Sequence, residues 1–94
     1  MPSEVRASHI LVGSEKEAAD LKKKLSEGEK FPRLAKRFST CPSKDDGGDL
    51  GFFEKGQMSE SFEEAAFKAP LNKVVGPVKT EFGYHLIMVT ETKP

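Results

Sequence analysis

Apolar and polar positions change their period several times along this chain. Val5 to Val12, VRASHILV, is dense in β-branched and apolar residues and stops at Gly13, which predicts a strand. From Ser14 the period lengthens: Ala18, Leu21 and Leu25 form one stripe, Ser14 and Glu17 stand at capping-box spacing, and Gly28 closes the segment. That is an amphipathic helix. Phe31, Leu34, Ala35 and Phe38 share a face of a second, shorter helix, whose first turn accepts Pro32 because that position has no helical N–H bond to lose. Ser39 to Asp46, STCPSKDD, is polar and turn-forming, and Pro42 keeps Cys41 on a loop.

Gly47 to Phe67, GGDLGFFEKGQMSESFEEAAF, then crowds large apolar side chains between glycines before turning helical, with Ser59 or Ser61 as cap. If the helix begins near Met58, Met58 and Phe62 stand four apart and face one way, and Leu50 can complete an apolar cup. Spacing alone fits an ordinary core better than a cup. Ala69 to Gly76 reads as an irregular connection, Pro77 to Thr80 as a short strand and Glu81 to Gly83 as a turn. Tyr84 to Thr90 is the last strand, with His85, Ile87 and Val89 on one face and Tyr84, Leu86 and Met88 on the other. The order strand, helix, helix, loop, strand, helix, strand, strand predicts one α+β domain over residues 1–94, an antiparallel sheet with helices packed around it.

Charge narrows the classes. Fifteen basic residues balance fifteen acidic ones, leaving no positive surplus for nucleic acid. The longest apolar run, Leu86 to Val89, falls far short of the roughly 20 residues that span a bilayer, so a soluble chain is expected. One cysteine excludes an internal disulfide and suits a reducing compartment, which makes the cytoplasm the expected location.

Four polar residues stand in apolar surroundings: His9, Cys41, Thr80 and His85. A single strand histidine is usually structural, but two on neighbouring strands can fix each other's tautomer and leave a polar spot on an apolar floor. Metal binding is not expected, since no two of His9, Cys41 and His85 lie at short ligand spacing. A Cys–His hydrolase needs an adjacent base and an oxyanion hole, and neither local signature is present.

Three segments then stand together: SHILV with His9, FSTCPSKDDGGDLGFFEKGQM with Cys41, and GPVKTEFGYHLIMV with His85. From about Val5 to Val89 they resemble, in order, the parvulin family of peptidyl-prolyl cis/trans isomerases, most closely its small stand-alone bacterial members. The resemblance implies a four-stranded antiparallel sheet surrounded by four helices, the parvulin or FKBP-like architecture, with the site on the concave side. By motif position it implies catalytic roles for His9, Cys41, Thr80 and His85, and a proline pocket of Leu50, Met58 and Phe62. Gln57 would lie at the pocket rim with Phe82 beside it.

Phosphorylation-dependent members of that family carry an insertion rich in arginine and lysine between the first strand and first helix, where this chain has only Gly13 and Ser14. Asp45, Asp46 and Asp49 would repel a phosphate, and Phe82 replaces the serine of those members. The implied activity is isomerisation of Xaa–Pro bonds without phosphate, favouring an apolar residue before proline, in the service of protein folding. Expected partners are proline-containing peptides and unfolded or flexible protein segments; a monomer is expected, with no cofactor, nucleic acid or membrane. Because the family includes members with aspartate at the cysteine position, catalysis is expected to be non-covalent. The competing expectation is a binding module that holds unfolded chains without turnover.

Overall fold

The computed structural model describes residues 2–94. Four strands form the frame: β1 (Glu4–Val12), β2 (Asp49–Glu54), β3 (Val74–Thr80) and β4 (Gly83–Lys93), in the spatial order β2-β1-β4-β3 and antiparallel throughout. Around them stand α1 (Glu15–Ser26), α2 (Phe31–Phe38) and α3 (Glu60–Lys68). Where a fourth helix is implied by the resemblance, the chain makes one 3-10 turn, Pro42–Asp46, because Pro42 opens it and Gly47 closes it in the left-handed region before an α-helical ladder can grow.

The two central strands are covered on both faces. Ile10, Val12 and Leu86 pack against Ala18 and Leu21 of α1 and Phe31, Leu34 and Ala35 of α2. Val5, Ala7, Ile87 and Val89 pack on the other side against Phe53 of β2 and Phe62 and Ala66 of α3. Ile10, Leu34, Leu86 and Ile87 are fully buried, each contributing about 1.5–3 kcal/mol of burial energy. The alternation expected along Tyr84 to Thr90 is therefore the division between the two cores.

Local expectations differ from the structure at three places. Strand β3 begins at Val74, three residues before Pro77, since Val75 pairs with Ile87 and Val78 with His85, so that Gly76 and Pro77 form a bulge. Gly–Pro reads as a break in sequence, and the sheet absorbs it by skipping one partner. Helix α3 starts at Glu60, with Ser59 at its N-cap and no side-chain capping bond, which leaves Met58 outside the helix. Strand β4 continues through Lys93, paired with the start of β1, although ETK carries no apolar pattern. Backbone pairing sustains that end, with Glu91 on Arg6 and the Lys93 ammonium over the Phe52 ring.

Candidate active site

The sheet register brings the two histidines together. His9 sits opposite Ile87 and His85 opposite Leu11, which makes the histidines diagonal neighbours on one face. Their Nδ1 atoms are 2.9 Å apart, and the ring planes differ by 18°. Both side chains are buried. The outer nitrogens are also engaged: His85 Nε2 lies 2.7 Å from Thr80 Oγ1, and His9 Nε2 lies 3.2 Å from Ser43 Oγ on the 3-10 turn. The Phe62 ring stands nearly perpendicular to both imidazoles, with centroids 5.6 Å from His9 and 5.2 Å from His85. Among the described residues no buried side-chain nitrogen or oxygen lacks a partner.

Above this pair opens a cavity of about 390 Å³. Leu50, Met58 and Phe62 line it, as do Cys41 and Pro42 from the loop after α2 and Phe82 from the β3–β4 turn. Met58 reaches the cavity from the segment before α3, so its convergence with Phe62 comes from the turn between β2 and α3 and not from a shared helical face. Phe82 is 69% exposed, an unusual place for a phenyl ring unless something covers it. Thr80 stands outside the lining, behind His85, and meets the site through that ring and through the backbone N–H of Phe82.

Gln57, expected at the rim, is not in the cavity wall. Its side-chain oxygen accepts the backbone N–H of Glu54 at 2.8 Å, closing the turn after β2. Asp49 also differs from the expectation of a loose negative charge. Its carboxylate is gripped by Arg6 at 2.6 Å, whose other nitrogen pairs with Glu91 at 2.7 Å. That hydrogen bond holds the Asp49 carboxyl below the usual carboxylate range, with a smaller contribution from the Gly51 N–H.

Ser43 and Leu11 join the site without having been singled out in the sequence. Leu11 lines the cavity and could have been found, since it lies two residues from His9 on the same strand face. Ser43 offered no signal; only the 3-10 turn carries its hydroxyl to the imidazole. Among the described residues no group of three or more His, Cys, Asp or Glu is arranged to hold a metal ion, and no helix is long and apolar enough to cross a membrane.

Burial pushes His9 down to about 4, with repulsion from His85 adding to it, and burial lowers His85 as well. Both rings are thus neutral at pH 7. The effect on stability follows from the unfolded chain, where a histidine titrates near 6.5. Above that pH neither state carries the charge. As the pH falls from 6.5 toward 4 the unfolded chain takes up a proton that folded His9 refuses, so stability drops, and below 4 the loss is complete. Urea unfolding is expected to show about 2 kcal/mol less stability at pH 5 than at pH 7, with His85 adding in the same direction. The His9→Gln variant should lose much of that slope; a flat profile in the wild type would contradict buried neutral imidazoles.

Comparison with known proteins gives a consistent pattern. The family model described as the PPIC-type PPIase domain matches residues 1–93. The foldase protein PrsA of Bacillus subtilis is 52% identical over 94 residues, covering 99% of this chain and 32% of that protein. PrsA of Geobacillus kaustophilus is 53% identical over 88 residues, covering 93% of this chain and 31% of that protein. The chain therefore spans about a third of the length of these curated relatives. Among solved structures, PrsA from Bacillus subtilis superposes with a TM-score of 0.94 at 52% identity, over 98% of this chain and 36% of that one. The parvulin of Nitrosopumilus maritimus superposes with a TM-score of 0.87 at 43% identity, over 97% of this chain and 99% of that one. The matches thus include long foldases and a parvulin of nearly this length.

Proposed function

The chain belongs to the PPIC-type peptidyl-prolyl isomerase family, and on that premise we propose that it catalyses rotation about Xaa–Pro bonds in flexible protein segments, without a phosphate on the substrate. The observation that carries this reading is the pair of neutral, mutually hydrogen-bonded imidazoles beneath an apolar cavity. A planar amide owes its barrier of about 18–20 kcal/mol to conjugation, which also makes its carbonyl strongly polar. A twisted amide has lost that polarity. An environment with few charges and little water therefore disfavours the planar form relative to the twisted one, which is the differential binding that catalysis requires.

In this mechanism Leu50, Met58 and Phe62 hold the proline ring while the carbonyl turns beside Cys41 and the imidazole pair. No bond to the substrate forms or breaks. Thr80 holds His85, and Phe82 covers the residue ahead of the proline, favouring an apolar one. Selection against phosphate is supported by the 3-10 turn beside the cavity, which carries Asp45 and Asp46 against one ammonium, Lys44. The name foldase on the longer relatives supports a role in protein folding. Cys41, a free thiol at the cavity, supports a reducing, cytoplasmic setting. Action as a monomer is part of this reading, and sedimentation at micromolar concentration would check it.

The test is exchange spectroscopy by NMR on Xaa–Pro peptides with leucine, alanine, glutamate or phosphoserine before the proline. Cis/trans cross-peaks should appear only with protein, strongest for leucine and weakest for phosphoserine. Met58→Ala should slow exchange about tenfold at low peptide concentration, the consequence of losing most of one side chain's contact with the ring. Line broadening without exchange would instead leave a proline-binding groove without turnover.

A further inference from the structure

The hydrogen bonds around the histidines form a chain whose direction can be worked out from one end. Thr80 Oγ1 accepts the backbone N–H of Phe82 at 3.2 Å. Its own proton has one acceptor among the described residues, His85 Nε2 at 2.7 Å. A neutral imidazole carries one N–H and one bare nitrogen. If His85 Nε2 accepts, His85 Nδ1 holds the proton and donates it to His9 Nδ1, 2.9 Å away. His9 must then be protonated on Nε2, and that N–H has Ser43 Oγ, at 3.2 Å, to receive it.

We infer that Ser43 is a positioning residue, the terminal acceptor of a one-way hydrogen-bond chain that runs from the Phe82 amide through Thr80, His85 and His9. The chain joins the two loops that border the cavity, the β3–β4 turn bearing Phe82 and the 3-10 turn following Cys41. It also sets which imidazole edges carry hydrogen: His85 on Nδ1 and His9 on Nε2. The reverse direction would leave the Thr80 proton without an acceptor while its oxygen took two donors. Ser43 does this work without lining the cavity, so it would act on the substrate only by fixing the ring beneath it.

Removing the hydroxyl leaves a buried N–H of His9 without a partner, a cost that the ring can escape only by tilting or by shifting its proton. Rigidity of the floor is then lost while the apolar wall of Leu50, Met58 and Phe62 stays intact. The effect should fall on the catalysed rate at saturating peptide more than on peptide affinity.

This inference rests on the proposed isomerase activity for its kinetic part and on nothing but the hydrogen-bond geometry for its tautomers, so the two can fail separately. The chain has only two histidines, which makes long-range proton–nitrogen correlation spectra of the imidazoles directly assignable. At pH 7 the wild type should show a protonated Nε2 and bare Nδ1 for His9 and the opposite for His85. Ser43→Ala should shift His9 toward a mixture of tautomers and lower the saturated exchange rate about five- to tenfold, and Ser43→Thr should restore both. A bare Nε2 on His9 in the wild type would overturn the direction, whether or not Ser43→Ala folds. Unchanged tautomers and rate in a folded Ser43→Ala would overturn the positioning role. Wild-type protein with the expected tautomers but no peptide exchange would overturn the isomerase reading and leave the chain as described.

Discussion

Phe62→Ala is expected to reduce the unfolding free energy by about 3–5 kcal/mol and to lower catalysed Xaa–Pro exchange by more than about a hundredfold. The stability loss comes from burial: Phe62 is 3% exposed and packs in the core of Val5, Ala7, Phe53, Ile87 and Val89. Its ring also stands 5.9 Å from that of Phe53. Against a total of roughly 5–10 kcal/mol for a domain of this size, such a loss brings the variant near the margin. The activity loss has a separate cause, because the same ring walls the cavity and braces both imidazoles in perpendicular contact. Urea denaturation followed by circular dichroism reads the first effect and peptide exchange the second. Phe62→Leu separates them: it fills most of the volume and should keep most of the stability, yet it lacks the aromatic ring against the imidazoles and should still exchange slowly. A loss under about 1 kcal/mol in Phe62→Ala, with exchange intact, would mean that the α3 side of the core and the site are built otherwise.

Gly48→Ala is expected to cost about 3–4 kcal/mol, far more than the same change at Gly51. Gly48 has φ +87°, where a side chain is strained by about 1–2 kcal/mol. A Cβ there would also collide with the carbonyl oxygen of His9 and crowd the Ala35 methyl at 3.3 Å. The close approach has a purpose, since the Gly48 carbonyl accepts the His9 N–H at 2.9 Å and so ties the loop after the 3-10 turn to the strand that carries the imidazole. Gly51 has φ +72° but open space around its missing Cβ, so Gly51→Ala carries the backbone strain alone, about 1–2 kcal/mol. Thermal unfolding should place Gly48→Ala roughly 15–25 °C below the wild type and Gly51→Ala roughly 5–10 °C below it. Equal losses at the two positions would show that the backbone approach to His9 is not what demands glycine.

These two residues lie in Gly47 to Phe67, the stretch that stood out in the sequence for mixing glycine with large hydrophobes. Its composition announced close backbone approaches and an apolar surface, but not which glycine met which strand. His9 and His85 were legible as a pair because each sits in a strand pattern and the chain holds only two histidines. Gln57 illustrates the opposite case. Its motif position points to the cavity rim, yet the Glu54 N–H three residues earlier captures the side-chain oxygen, and local sequence holds no record of that competition.

What the amino-acid sequence determined by itself was the kind and order of the elements, because hydrophobic period, caps and turn residues act over a few positions and each leaves its mark there. Four strands and three helices were placed in their order, with the boundaries given shifted by a few residues, and the motifs around His9, Cys41 and His85 pointed to the family. Tertiary structure alone decided the rest: the strand order β2-β1-β4-β3, the bulge at Gly76 and Pro77, the Arg6 grip on Asp49 and the reach of Ser43 to His9. The side-chain contacts join residues far apart in sequence, 34 positions for Ser43 with His9 and 43 for Arg6 with Asp49, and the strand order and the bulge depend on which partner strand pairs in which register. A contact between distant residues is set by the register of the whole sheet, and no local pattern of apolar and polar positions encodes it.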